Sequence, residues 1–134
     1  MFVIDLDKER QKAFLNLAYT MIYADNVLAK EEKRIFHAYA AEVDIDFLEA
    51  HKVDFDEELA VFDSCSTEQK LGVFFELYAI ALSDKVYAEE EKALISIAQK
   101  HFGITDEKVK EMHDGLQKAE ALRDELKRIV YKSK

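Results

Sequence analysis

The sequence predicts an all-α fold, a compact bundle of about six to eight helices built from two helix-loop-helix repeats plus a C-terminal helix. Three observations predict it. Proline is absent and only three glycines occur, Gly72, Gly103 and Gly115, so the two strongest helix breakers are nearly missing. Apolar residues recur at three- and four-residue spacing, the period of a helix with one buried face. The chain also matches itself at an offset of 59 residues, which lays Tyr19 on Tyr78, Asp25 on Asp84, Val27 on Val86, Ala29 on Ala88 and Glu31-Glu32-Lys33 on Glu90-Glu91-Lys92.

Each copy reads as a buried helix, a short acidic loop and an amphipathic helix lying across the first. In copy one, about 10–46, the stretch Ala13–Ala24 is apolar nearly all round, and Lys30–Val43 carries Ile35, Phe36, Tyr39, Ala40 and Val43 on one stripe. A linker of one or two short helices, about 47–64, offers Phe47, Leu48, Phe55, Leu59 and Phe62 to the core. Copy two, about 66–104, opens with the capping box Ser66-Thr67-Glu68-Gln69, continues through the apolar Leu71–Ser83, and ends with Glu89–Phe102, whose stripe is Leu94, Ile95, Ala98 and Phe102. Gly103 is a natural stop and Thr105 a cap for the next helix. That last helix, about 105–132, has Val109, Met112, Leu116, Ala119, Leu126 and Val130 at helical spacing and is expected to pack over the repeat pair, with Gly115 as a point where it kinks or splits. One domain over 1–134 is the expectation for a chain of this length.

A net charge of −9 argues against nucleic acid and against an anionic membrane surface as partners, because both repel a chain whose charge is mostly carboxylate. The exception is the end of the chain, where Lys127, Arg128, Lys132 and Lys134 stand with no acid among them. Cations there suit the negative end of a helix dipole, and an acidic partner or lipid is the alternative reading. The longest apolar run, Leu71–Leu82, contains Glu76 and is shorter than the ~20 residues a transmembrane helix needs. Met1–Glu9 lacks the pattern of a signal peptide, and the single cysteine, Cys65, permits no intramolecular disulfide, so a cytoplasmic location is expected.

The candidate site is the repeated acidic pair. Asp25 follows an apolar helix, where the dipole disfavours an anion, and Glu32 falls seven residues later in the first turn of the next helix, where the dipole favours one. Asp84 and Glu91 repeat the arrangement. Two readings stay open: the acids anchor their loops by capping and backbone hydrogen bonds, or the two loops converge into a hard-oxygen site for calcium, magnesium or manganese. An EF-hand is excluded, since neither loop has the length, the alternating oxygen ligands or the central glycine.

An apolar helix running into Tyr23-Ala24-Asp25-Asn26-Val27-Leu28-Ala29-Lys30-Glu31-Glu32, and again into Leu82-Ser83-Asp84-Lys85-Val86-Tyr87-Ala88-Glu89-Glu90-Glu91, resembles the TerB-like family. That family includes the tellurite-resistance TerB proteins and is similar in fold to the N-terminal domain of the DjlA co-chaperone. The resemblance covers roughly 11–105. It implies a helical bundle with an acidic surface, metal-ion binding, a place in stress-response assemblies, and a carry-over of site roles to Asp25, Glu32, Asp84 and Glu91. This chain departs from the family pattern in having Asn26 and Lys85 where a glycine follows the Asp, and Ala29 and Ala88 where a small hydroxyl residue stands.

Other chemistries lack their residues. None of His37, His51, His101 and His113 has a Glu three positions earlier, so the di-iron signature is absent, and no glycine-rich phosphate loop or His-Pro-Asp motif exists. Cys65 reads as a linker cysteine. The expected function is a non-catalytic binding module that acts through its acidic surface on a divalent cation or a basic protein partner. The alternatives are a metal-assisted hydrolase using the same four carboxylates, and a structural protein that forms homo-oligomers through the C-terminal helix.

Overall fold

Asp7 opens the first helix. Its carboxylate accepts the Arg10 amide N–H at 2.9 Å and the Arg10 guanidinium at 2.7 Å, so one of the donors left over at a helix start is satisfied. The amide bond, with help from the guanidinium, holds the Asp7 carboxyl below its ordinary pKa. Helix α1 spans Lys8–Ile22 and therefore begins ahead of the apolar run expected at Ala13.

The computed structural model describes residues 2–23, 30–45, 50–83 and 89–132, with backbone alone at 30–33 and 35. After α1 come α2 (Lys30–Glu42), α3 (Phe55–Leu59) with a 3₁₀ turn at Ala60–Phe62, α4 (Thr67–Leu82), α5 (Glu89–Phe102) and α6 (Asp106–Tyr131). A further 3₁₀ turn, Phe2–Asp5, precedes α1. All regular structure among the described residues is helical, and none of these helices is long and apolar enough to cross a membrane. Of the expected linker contacts, Phe55, Leu59 and Phe62 are buried, while Phe47 and Leu48 lie outside the described residues.

The helix ends follow local chemistry. Ser66 and Gln69 form the reciprocal capping box, with the Gln69 amide donating to Ser66 Oγ at 3.1 Å and the Ser66 amide to Gln69 Oε1 at 2.9 Å. Gly103 closes α5 at φ +67°, and Thr105 caps α6 through the Lys108 amide. Helix α2 ends without a glycine. Asp44 takes the left-handed conformation there, φ 57°, while the Asp44 amide donates to Ala41 O and the Ile45 amide to Ala40 O. This is the paired-bond C-cap in which a short polar side chain tolerates what glycine usually supplies, and buried Ile45 and Ala40 close it.

The chain divides into two units, Met1–Gly103 and Ile104–Lys134. In the first, α1 and α4 form the centre. Helix α1 packs against α2, α3, α4 and α5, and α4 packs against α5, α1, α2 and the N-terminal 3₁₀ turn. Each copy's second helix thus lies on its own first helix and also on the first helix of the other copy. The burial pattern repeats with the sequence: Ala13, Phe14, Leu15, Leu17, Ala18, Met21 and Ile22 of α1 are buried, and so are Gly72, Val73, Phe74, Glu76, Leu77, Ile80 and Ala81 of α4. Those two sets correspond one to one at the 59-residue offset, and only Gln11 of α1 and Tyr78 of α4 are buried without a buried equivalent. A single hydrophobic arrangement has been used twice.

The linker is tied to this core by polar side chains of α1. Asn16 Nδ2 donates to Glu58 Oε2 at 2.9 Å and its Oδ1 accepts the His51 amide at 3.2 Å, while Thr20 Oγ1 accepts the Val53 amide at 3.0 Å. Each satisfies a backbone or carboxylate group that the irregular chain brings to the surface of α1. His101 bonds Asp63 at 2.8 Å and secures the linker to α5. Lys8 Nζ donates to the carbonyl of Val43, so a cation sits at the negative end of α2.

The N-terminal turn is seated on α4. Phe2 stacks edge-on to Phe75, Gln11 Nε2 donates to the carbonyls of Val3 and Ile4, and Val3 is fully buried. Close approach requires Gly72, since a Cβ there would lie 2.8 Å from Phe2 Cβ. Gly72→Ala is expected to cost about 1–2 kcal/mol net, the overpacking of ~1–3 kcal/mol being offset in part by alanine's better helix propensity. Urea unfolding and hydrogen exchange at Phe2–Leu6 check this. An unchanged midpoint with unchanged protection would show that the turn does not depend on the close contact.

The second unit is α6 alone, one continuous helix through Gly115, with no buried residue. Val109, Met112 and Leu116 are half-buried, whereas Leu122, Leu126, Ile129 and Val130 are exposed.

Candidate cation site

The first turn of α5 contains Glu89, Glu90 and Glu91, the anion-favouring end of a helix dipole. Their fates differ by register. Glu89 and Glu90 face water, and Glu89 makes an exposed pair with Lys92 at 3.5 Å. Glu91 shares a face with Ile95 and Ala98 at spacings of four and seven, and all three are buried, Glu91 to 3% exposure. The stripe that seats α5 in the core therefore carries a carboxylate into the interior at its N-terminal end.

Glu32 holds the same register on α2, four residues before buried Phe36 and eight before buried Ala40, within the helical backbone that begins at Lys30. Its side chain lies outside the described residues, as do Asp25 and Asp84 entirely. Of the four predicted ligands, then, the structure locates Glu91 fully and Glu32 by its backbone. Among the described residues no three His, Cys, Asp or Glu side chains gather into a metal-holding group.

What leads into the acidic loops is described. Helix α1 closes at Tyr23, whose amide donates to Tyr19 O, and α4 closes at Ser83, whose amide and Oγ both engage Ile80 O at 3.1 and 2.6 Å. Each loop thus leaves from the partially negative end of one helix and enters the partially positive start of the next. Tyr19 and Tyr78, equivalent in the repeat, stand one turn before. Tyr19 packs its ring on Tyr23 and Phe36, at centroid distances of 4.4 and 6.0 Å, and burial raises the Tyr78 phenol pKa.

A second acid is buried that sequence reasoning had placed only within an apolar run. Glu76 of α4 is 6% exposed, its Oε1 accepts the Phe2 amide at 3.4 Å and its Oε2 accepts the Tyr39 hydroxyl. Burial above all, and then this bond to a carboxylate, push the Tyr39 phenol well above its ordinary value. The signal was in the repeat: Glu76 occupies the slot that Leu17 fills in copy one. With both carboxylate oxygens bonded to chain groups, Glu76 ties α2, α4 and the N-terminal turn together.

The remaining candidates are modest. None of the four histidines is buried. Cys65 is half-buried beside Arg10, which donates to the neighbouring Ser64 Oγ at 2.6 Å.

Two interlocked helix pairs, each with glutamates in the first turn of its second helix, define a small all-helical domain of the duplicated type. The family model described as Tellurite resistance protein TerB matches residues 11–114, which takes in both copies, the linker and the beginning of α6. The chain belongs to the TerB family. Neither the curated proteins nor the solved structures include a significant match to it.

Proposed function

We propose that this TerB-family domain is a non-catalytic binding module whose acidic loops take a divalent cation, with Asp84 and Glu91 from one copy and Asp25 and Glu32 from the other as ligands. The observation that carries the reading is the inward placement of Glu91. A carboxylate inside a protein keeps its charge only in the company of hydrogen bonds or cations, and Glu91 stands in the turn that follows the loop bearing Asp84. The oxygen-only donor set suits calcium, magnesium or manganese, and no cysteine is available to it.

Thermal unfolding of metal-stripped protein tests it, with and without each of the three ions, for wild type and Asp25→Asn/Asp84→Asn. A cation at a hundredfold excess over its Kd stabilises the native state by about 2.7 kcal/mol, enough to raise Tm by several degrees. That rise should vanish in the double variant. Absence of any rise in wild type sinks the cation reading and leaves the net charge of −9 as the argument for a basic protein partner.

A further inference from the structure

We propose that the C-terminal half of α6 is an amphipathic segment that lies on an anionic lipid surface. At about 100° per residue, Ala119, Leu122, Leu126, Ile129 and Val130 fall on one stripe of the helix. The four large side chains among them are 54–65% exposed, so the apolar atoms form one continuous face. Four of the five cations flank it. Arg123 and Lys127 edge the stripe on one side and Lys118 and Lys132 on the other, with Glu125 between those two, while Glu120, Asp124 and Arg128 lie on the far face.

This sorting is what an interfacial helix requires. Apolar side chains enter the boundary between headgroups and acyl chains, and lysine and arginine at the edges run their stems along the apolar layer and set their charges among the phosphates. Carboxylates on the far face stay in water. The net charge of −9 does not decide the matter, because salt screens charges beyond about 8 Å and Lys118–Lys132 has five cations against three acids.

A second copy of the helix is the competing occupant. Paired in parallel it sets the Arg123–Lys127 edge against the Lys118–Lys132 edge, where Lys118 and Arg123 repel, whereas an antiparallel offset sets Glu125 against Lys118 or Lys132, so sedimentation velocity is part of the test.

The test is cosedimentation of the full chain with vesicles of phosphatidylcholine alone and of phosphatidylcholine with one-third phosphatidylserine. The expected result is binding to the anionic vesicles that weakens with salt and is about tenfold or more weaker on the neutral ones. Leu126→Glu/Ile129→Glu should abolish binding and Lys127→Glu/Lys132→Glu should remove the anionic preference, each with Tm unchanged because the side chains are exposed. No binding at millimolar anionic lipid, or equal binding by wild type and both variants, overturns the proposal. So does self-association in sedimentation velocity that Leu126→Glu/Ile129→Glu abolishes while vesicle binding is absent, which assigns the face to a second copy.

Discussion

Replacing Tyr39 with phenylalanine is expected to lower the free energy of unfolding by about 2–4 kcal/mol, although only one oxygen is removed. The loss falls on Glu76. Its carboxylate stays in the core at 6% exposure, and the Phe2 amide at 3.4 Å is then its sole bond of the two now seen. A buried charge that loses a partner pays its full desolvation penalty. Tyr39→Phe/Glu76→Leu should recover most of the deficit, because leucine is the residue that copy one uses at the same position, Leu17, and because a buried polar pair replaced by apolar groups of similar size is often neutral. Urea unfolding of the single and double variants measures both. A double variant as unstable as Tyr39→Phe would show that Glu76 contributes by something other than this pairing.

The same pair is expected to make stability fall at alkaline pH. An unfolded tyrosine loses its proton near pH 10, whereas Tyr39 in the fold holds its proton beyond that. Between the two values the native state binds more protons than the unfolded chain, so the contribution is complete below about pH 10 and declines as pH rises through it. Tyr39→Phe should flatten this decline, and Tyr78, raised by burial, should leave a remainder. Comparing urea midpoints at about pH 8 and about pH 11 reads the difference.

Phe74→Ala is expected to cost about 3–5 kcal/mol. Phe74 is fully buried at the centre of α4, the helix that meets α1, α2, α5 and the N-terminal turn, and its ring stacks on Tyr78 at a centroid distance of 5.9 Å. Four elements converge on that helix, and none can collapse into the void without disturbing the others, so the cavity penalty adds to the lost transfer energy. Phe74→Leu should cost less than half as much, since Leu15 fills the equivalent place in copy one. If alanine costs no more than leucine, the centre of the bundle is loosely packed and the duplicated core is not what stabilises the fold.

Much of the architecture was legible because it depends on spacing within a few residues. The repeat predicted paired helices with matching buried faces, and the burial of α1 and α4 tracks it from Ala13 and Gly72 to Ile22 and Ala81 except at Tyr78, which is buried where Tyr19 is half-buried. Ser66, Gly103 and Thr105 act as read, since a cap needs only its own turn. Gly115 does not split the helix into two, because a single glycine costs only about 1 kcal/mol in a helix interior. Glu91 was singled out for its loop, yet its burial comes from the stripe it shares with Ile95 and Ala98, a signal that was present and unused.

What the sequence determined by itself was therefore the helical class, the duplication, the acidic pairs and the family, all of which are properties of local period and repeated motif. The tertiary structure alone decided which partners the inner polar residues find. Glu76 meets Tyr39 across 37 positions and Phe2 across 74, Asn16 reaches Glu58 across 42, and Gly72 yields space to the far end of the chain. No local pattern encodes such pairings. They exist because two interlocked copies bring distant groups into an interior where a donor or acceptor without a partner costs about 1–3 kcal/mol, and these partners come from wherever the chain passes.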